Sequence, residues 1–320
     1  VHELTIGSEN DAEEAMIFTL RAVQAGESGD IFVLDGKTGQ VKVYGPDGRH
    51  RRTFGRRGQG PGELQSPSRM VLTRDGRLCF LDLGNNRVAF HSPEGECLKE
   101  IPLAGWRPFR YLPDSKGFGY GDILDLQGGA KDVLIKLDAK LDKVATVATL
   151  VVAENPSEQT MPIEMFRLIY QVDREDRIVW ASTGAYELNV VDPDGKAARR
   201  VERASDRISY SGADKDRLIK AFLRGQAPPA GFSPYFPPHK PVLYHFIVDG
   251  EGRYYVRTYE QDGSGRFYYD VFDPEGRYFA RFPLPEGELL HAVRNGKAYT
   301  AVEENEAGVP QVKRYAVVWE

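Results

Sequence analysis

The chain has 320 residues, 41% of them hydrophobic and 28% charged, a balance that suits a folded globular protein and excludes a disordered or fibrous one. Its 42 basic and 47 acidic side chains leave a formal net charge of -5, so the whole chain carries no basic footprint for nucleic acid or an anionic membrane. The 33 glycines and 20 prolines favour turns and short elements, and no run of 18 apolar residues is present to form a transmembrane helix.

In chain order, "HELTIG" (2–7) comes first, a strand-like stretch without a partner in its own neighbourhood. Val1 in place of Met gives the expectation of a trimmed leader, with or without a lipid anchor, and hence a periplasmic or extracellular protein. From Ser28 a unit begins that recurs: a turn, an apolar run ending near Asp, a small polar turn, a second apolar run and a Pro-Asp/Glu-Gly bend. It returns from Arg74 as "RDGRLCFLDLGNNRVAFHSPEGEC", from Arg174 more weakly, and from Gly250 in its longest form, with Gly48, Gly95, Gly195 and Gly276 marking the phase. Residues 107–149 supply three strand-like runs without the sharp turns, and the last unit, from Glu288, holds three strands.

Short runs rich in Val, Ile, Tyr and Phe, punctuated by Gly-containing turns, are strands joined by hairpins, and four-strand units repeating every 40 to 50 residues predict a β-propeller. Six units are expected, near 16–54, 67–103, 107–149, 165–202, 241–282 and 289–317, in one all-β propeller domain over 1–320. The unpartnered N-terminal strand then fills the outermost place of the last blade. Residues 204–240 break the rhythm between blades 4 and 5. There Ser211 and Asp214 form a capping box, Leu218, Ile219, Phe222 and Leu223 an apolar stripe, and Gly225 a C-terminal cap, which predict a helix packed on a propeller face as lid or buttress.

"GRRGQGPGE" (55–63) lacks the Lys-Ser/Thr of a phosphate-binding loop and no helix follows it, so it is expected to be a connection between blades fixed by Pro61 and Pro67. Cys79 and Cys97 lie in different strands, which excludes a C-x-x-C site; both are expected as small buried or half-buried side chains, a disulfide between them being the lesser alternative. Neither G-x-S-x-G nor a Ser-His-Asp constellation stands out.

The stretch from Phe54 to Gly95 resembles an NHL repeat through Gly58, Gly60, Gly62, Leu64, Pro67, Asp75, Gly76, Asp82, Asn86, Arg87 and Val88. The match is partial over 28–54 and faint elsewhere, and the later blades are similar to those of secreted bacterial six-bladed propellers. In this motif Asp82, Asn86 and Arg87 are expected to satisfy turn amides and lock the hairpin. The resemblance implies that any ligand site lies at a mouth of the central channel.

Aligned on the following turn, Arg69 and Arg110 stand seven residues before Gly76 and Gly117, as His245 does before Gly252; His291 has a similar place and Arg167 a looser one. Such a ring suits an anionic ligand, because guanidinium forks recognise planar oxyanions. His245 and His291, with His239 carried in by the insertion, are the candidate metal ligands; the plainer reading of each is a hydrogen-bonded inner-strand residue. The cofactor stays open, calcium and zinc being the candidates. Propellers of similar architecture include calcium lactonases and esterases, strictosidine-synthase-like proteins and zinc lyases, and Glu164, Asn189 and Asp249 stand near plausible places for a lactonase-type cation site without aligning to it.

The expectation is therefore a monomeric, non-catalytic binding or scaffolding propeller that recognises a protein, peptide or glycan at its channel mouth, with Tyr254, Tyr255, Tyr259, Phe267, Tyr268 and Tyr269 divided between core and recognition surface. The alternative is a metal-assisted hydrolase or lyase at the same channel. RNA binding through Arg49, Arg51, Arg52, Arg56 and Arg57 is disfavoured by the acidic balance of the chain.

Overall fold

Six antiparallel sheets of four strands stand around a central channel in the computed structural model, which describes residues 1–103, 105, 107–127, 129–153, 160–224 and 226–319. Blade 1 is β2–β5 (Leu20–Ala25, Ile31–Asp35, Gln40–Tyr44, His50–Phe54) and blade 2 is β6–β9 (Pro67–Leu72, Leu78–Asp82, Arg87–His91, Cys97–Pro102). Blade 3 is β10–β13 (Tyr111–Pro113, Gly119–Asp125, Ala130–Leu137, Lys143–Ala153), and blade 4 is β15–β18 (Leu168–Val172, Ile178–Ser182, Glu187–Val191, Ala197–Glu202). Blade 5 is β20–β23 (Leu243–Val248, Tyr254–Gln261, Phe267–Phe272, Tyr278–Leu284). Blade 6 takes β24–β26 (Glu288–Arg294, Lys297–Val302, Gln311–Ala316) and, as its outermost strand, β1 (His2–Ile6). The six-bladed all-β propeller and the closure by the N-terminal strand are as the sequence predicts.

Closure is antiparallel pairing of β1 with β26, Thr5 opposite Lys313 and Ile6 opposite Val312. Glu3 clasps it by receiving Arg314 Nε at 2.8 Å and the Lys297 ammonium, and the Val1 amino group donates to the Ala316 carbonyl at 2.8 Å. Second and third strands of blades 1 and 2 are nearly fully buried between neighbouring blades, as "IFVLD" and "LCFLD" show for the second. Tyr254, Tyr255 and Tyr269 belong to this interblade core, whereas Tyr259, Phe267 and Tyr268 are half-buried.

Asp35, Asp82 and Asp122 lie inside the fold and receive amides of the chain entering the innermost strand: Phe18 and Thr19 for Asp35, Gln65 and Ser66 for Asp82, Arg110 for Asp122. In blade 2 the side chain that joins this lock is Asn85, donating to Asp82 Oδ2 at 2.7 Å and to the Gly58 carbonyl at 2.9 Å. Asn86 contributes its backbone instead, at φ 53°, a left-handed conformation that Asn tolerates. Arg87 reaches the Gly60 carbonyl at 2.9 Å and Glu100 at 3.0 Å, so "GRRGQGPGE" is an interblade connection held from below. Both cysteines are free; Cys79 is buried and Cys97 is exposed, because the outer strand β9 turns it to solvent.

Between blades 4 and 5 the chain forms α1 (Gly212–Leu223) and β19 (Ser233–Tyr235), the latter pairing in parallel with β14 (Thr160–Pro162) ahead of blade 4. The capping box is present: the Ser211 hydroxyl receives Asp214 N–H at 3.1 Å and Asp214 receives Ser211 N–H at 3.0 Å. The helix ends on Arg224 at φ 49°; Gly225, the expected cap, lies outside the described residues. The stripe packs only in part: Leu218, Ile219 and Leu223 are half-buried, no helix residue is fully buried, and Phe222 keeps 46% of its surface exposed. The insertion is also tied down by polar links, the β14–β19 pair and the Lys240–Asp214 ion pair at 2.7 Å.

Candidate functional site at the upper channel mouth

The innermost strands β2, β6, β10, β15, β20 and β24 enclose a cavity of about 580 Å³. All six run in the same sense, so one end of the channel, here the upper mouth, gathers the residues where the chain enters these strands. A second cavity of about 360 Å³ opens there, sharing Arg69, Arg110, Ile169 and Tyr244 with the channel.

One level down, the channel is ringed by Ala22, Arg69, Arg110, Ile169, His245 and His291, one residue from each blade. The turn offset used on the sequence selects this ring because each hairpin fixes the register of its inner strand. Irregular pairing at the start of β6, β20 and β24 re-aims neighbouring side chains, which is how Tyr244 and His245 both face the cavity.

Arg110 and Arg167 are fastened to the wall. Arg110 donates to the Leu168 carbonyl, lies 3.6 Å from Asp122 and stacks over Tyr170 at 4.4 Å. Arg167 pairs with Asp132 at 3.0 Å, approaches Asp122 at 3.8 Å and stacks over Phe109 at 4.5 Å. Burial holds the Asp132 carboxyl above the usual carboxylate range despite that arginine. The Tyr170 hydroxyl bridges Asp122 Oδ1 at 2.9 Å and the Arg110 carbonyl at 3.0 Å, and burial with that carboxylate keeps the phenol protonated.

Arg69 differs. Its guanidinium projects into the cavity and has no hydrogen-bond or ion-pair partner among the described residues. The side chain is exposed to the channel, and enclosure by the channel wall together with the positive charge of Arg110 lowers its pKa.

His245 Nε2 lies 3.1 Å from the Leu290 carbonyl, so that nitrogen carries the proton and Nδ1, buried and unpartnered, offers a lone pair. Desolvation pushes His245 down to about 3 and His291 down to about 4, with Arg69 adding to both shifts. Both are neutral imidazoles at neutral pH. His239 does not join them: its ring packs on Phe166 at 4.9 Å and its Nδ1 lies 2.8 Å from the Lys240 carbonyl, outside both cavities. Among the described residues no group of three or more His, Cys, Asp or Glu side chains is placed to hold a metal ion, so calcium or zinc does not fit the His245, His291 and His239 set.

The three acidic or amide candidates also separate. Asp249 closes a turn at the lower mouth, receiving Glu251 and Arg253 amides at 2.9 and 2.8 Å. Asn189 bonds Glu187 at 3.0 Å on a third strand. Glu164 alone lines the upper mouth.

The aromatic wall was not legible from the residue offsets. Phe109, Tyr244 and Tyr259 line the mouth, and Arg257 stacks on Tyr244 at 4.2 Å and on Phe267 at 4.3 Å. Tyr244 stays 43% exposed there. Tyr259 and Phe267 are among the aromatics the sequence offers for a recognition surface, whereas Tyr244 and Phe109 are signalled only by their positions beside His245 and Arg110.

No family model matches the chain, and no curated protein matches it in sequence. Its likeness is to solved structures. A member of the DUF4221 family from Bacteroides vulgatus superimposes with a TM-score of 0.59 at 10% identity, over 98% of this chain and 96% of that one. A Bacteroides fragilis protein described as exported gives 0.58 at 11% identity over the same shares. Virginiamycin B lyase from Staphylococcus aureus, in an inactive form with quinupristin, gives 0.50 at 7% identity over 98% and 99%. The shared feature is the six-bladed propeller. At these identities the likeness is one of fold alone.

Proposed function

We propose that this chain is a non-catalytic binding propeller that captures an anionic group of a protein, peptide or glycan ligand at its upper mouth. The observation that carries the reading is Arg69, an uncompensated guanidinium on the wall shared by both cavities, beside two arginines already neutralised by Asp122 and Asp132. An arginine exposed to the channel without a counter-charge is free to take a ligand's anion, and a carboxylate suits its fork. The alternative, a metal-assisted hydrolase or lyase, has only His245 and His291 in the channel, short of the three protein ligands usual for a catalytic zinc. Kinship with NHL propellers is supported by the buried Asp locks of the first blades and the Arg87 contacts. An extracytoplasmic location is supported by the exported Bacteroides fragilis neighbour.

Arg69→Gln is the test, since that side chain makes no internal contact that its loss would break. Titration with a carboxylate-bearing ligand should show affinity reduced about tenfold to a hundredfold, the weight of a charge-assisted hydrogen bond, with the melting temperature unchanged. Unaltered affinity places the anion elsewhere. Arg110→Ala is the wrong probe, because it also breaks contacts to Leu168, Asp122 and Tyr170.

A further inference from the structure

The upper mouth holds a second unanswered charge, of opposite sign. Glu164 lines the same cavity as Arg69, receives the Tyr210 hydroxyl at 3.0 Å, and has no ion-pair partner among the described residues. It does not meet Arg69 within ion-pair distance, although both face one cavity. Glu164 is set in place from two sides: it follows β14, which pairs with β19, Ile163 N–H donates to the Tyr235 carbonyl at 3.1 Å, and the insertion lays Tyr210 against its carboxylate. The insertion thus braces from outside the stretch of wall that carries the negative charge.

Phe109, Tyr244, Tyr259 and Met165 line the same cavity, as do Arg110 and Arg167, which Asp122 and Asp132 already pair. The Tyr259 and Tyr210 phenols, pushed up by burial and by Glu164, remain neutral and add no charge of their own. Two unpaired charges of opposite sign on one cavity, with aromatic side chains in its wall, are complementary to a molecule carrying an ammonium at one end and a carboxylate at the other. Resting on the reading of an anion at Arg69, we infer that the mouth binds the zwitterion of a short free peptide, carboxylate on Arg69, ammonium on Glu164, and an apolar side chain against the aromatic wall. The cavity, about 360 Å³, lies in the lower part of the range of small-ligand pockets, roughly 300–1,000 Å³, which suits a peptide of a few residues and not a folded partner.

The experiment is calorimetric titration of the whole chain with alanyl-phenylalanyl-alanine, its N-acetyl form, its C-terminal amide and an oligoglucuronate, repeated on Arg69→Gln and Glu164→Gln. The free tripeptide should bind, and acetylation or amidation should each weaken it about tenfold to a hundredfold. Glu164→Gln should erase the penalty of acetylation while keeping that of amidation, and Arg69→Gln should do the reverse. This exchange of selectivity is a readout that mere loss of stability does not produce, and unchanged melting temperatures verify folding. Equal binding of free and acetylated peptides, with Arg69 still required, overturns the zwitterion while sparing the anion site. Oligoglucuronate binding that needs Arg69 and ignores Glu164→Gln, with no peptide binding, overturns it in favour of an acidic glycan. No dependence on Arg69 for any probe removes both readings.

Discussion

Asp82 has no solvent exposure and accepts from Gln65 N–H at 3.1 Å, Ser66 N–H at 2.8 Å and Asn85 at 2.7 Å, so one carboxylate fixes the point where the chain enters blade 2. Asp82→Ala leaves buried amides without an acceptor and should destabilise the fold by about 3 kcal/mol, read as a lower urea midpoint at constant slope. A change below about 0.5 kcal/mol would show that water replaces the carboxylate. The pattern of such residues was legible in the sequence because the lock repeats: an apolar run ending in Asp marks Asp35 and Asp82 alike. Arg69 was legible for the same reason, since its distance to the next turn is constant. What was not legible is which side chain fills each role. Asn85 and Asn86 are adjacent and chemically identical, and only the left-handed backbone at Asn86 decides that Asn85 does the bonding.

Strands were readable as elements, and their irregularities were not. Alternation and turn residues locate most strands of the blades, though only three runs stand out over 107–149, and a one-residue irregularity in an inner strand, which carries no composition signal, lets both Tyr244 and His245 face the channel. The helix was found from its capping box, which is a local interaction; the fate of its stripe depends on what lies opposite, and nothing local records that. The closing strand is the element whose removal says most. Deleting residues 1–7 exposes the β26 edge and the apolar surface around Val312 and Tyr299, which β1 otherwise covers. The truncated chain should melt well below the full chain and scatter light on heating, whereas an unchanged melting temperature would mean that blade 6 is stable with three strands.

At the scale of the whole ring, acid acts through the channel. His245 and His291 are held down to about 3 and about 4 against an ordinary 6.5, by burial and by the cations Arg69 and, for His245, Arg257; burial lowers His91 as well. The unfolded chain therefore takes up protons below about pH 6.5 that the folded ring refuses until far lower. The stability these histidines lend is complete above the unfolded value and is lost as pH falls from about 6.5 toward 4. The melting temperature should drop between about pH 7 and pH 5, and the double change His245→Gln with His291→Gln should flatten that drop. Parallel profiles for the two proteins would place the acid sensitivity elsewhere.

The clasp of Glu3 on Lys297 and Arg314 also has a meaning in time. β1 is synthesised before all six blades, and its partner β26 after nearly all of them, so the contact that shuts the circle is the most distant the chain makes. Blades 1 to 5 pair within themselves and form as local hairpins, while the ring stays an open arc until the two ends meet. Locking is then the last event of folding and its reversal the first event of unfolding, which makes the opening strand of this chain the latch on its lifetime.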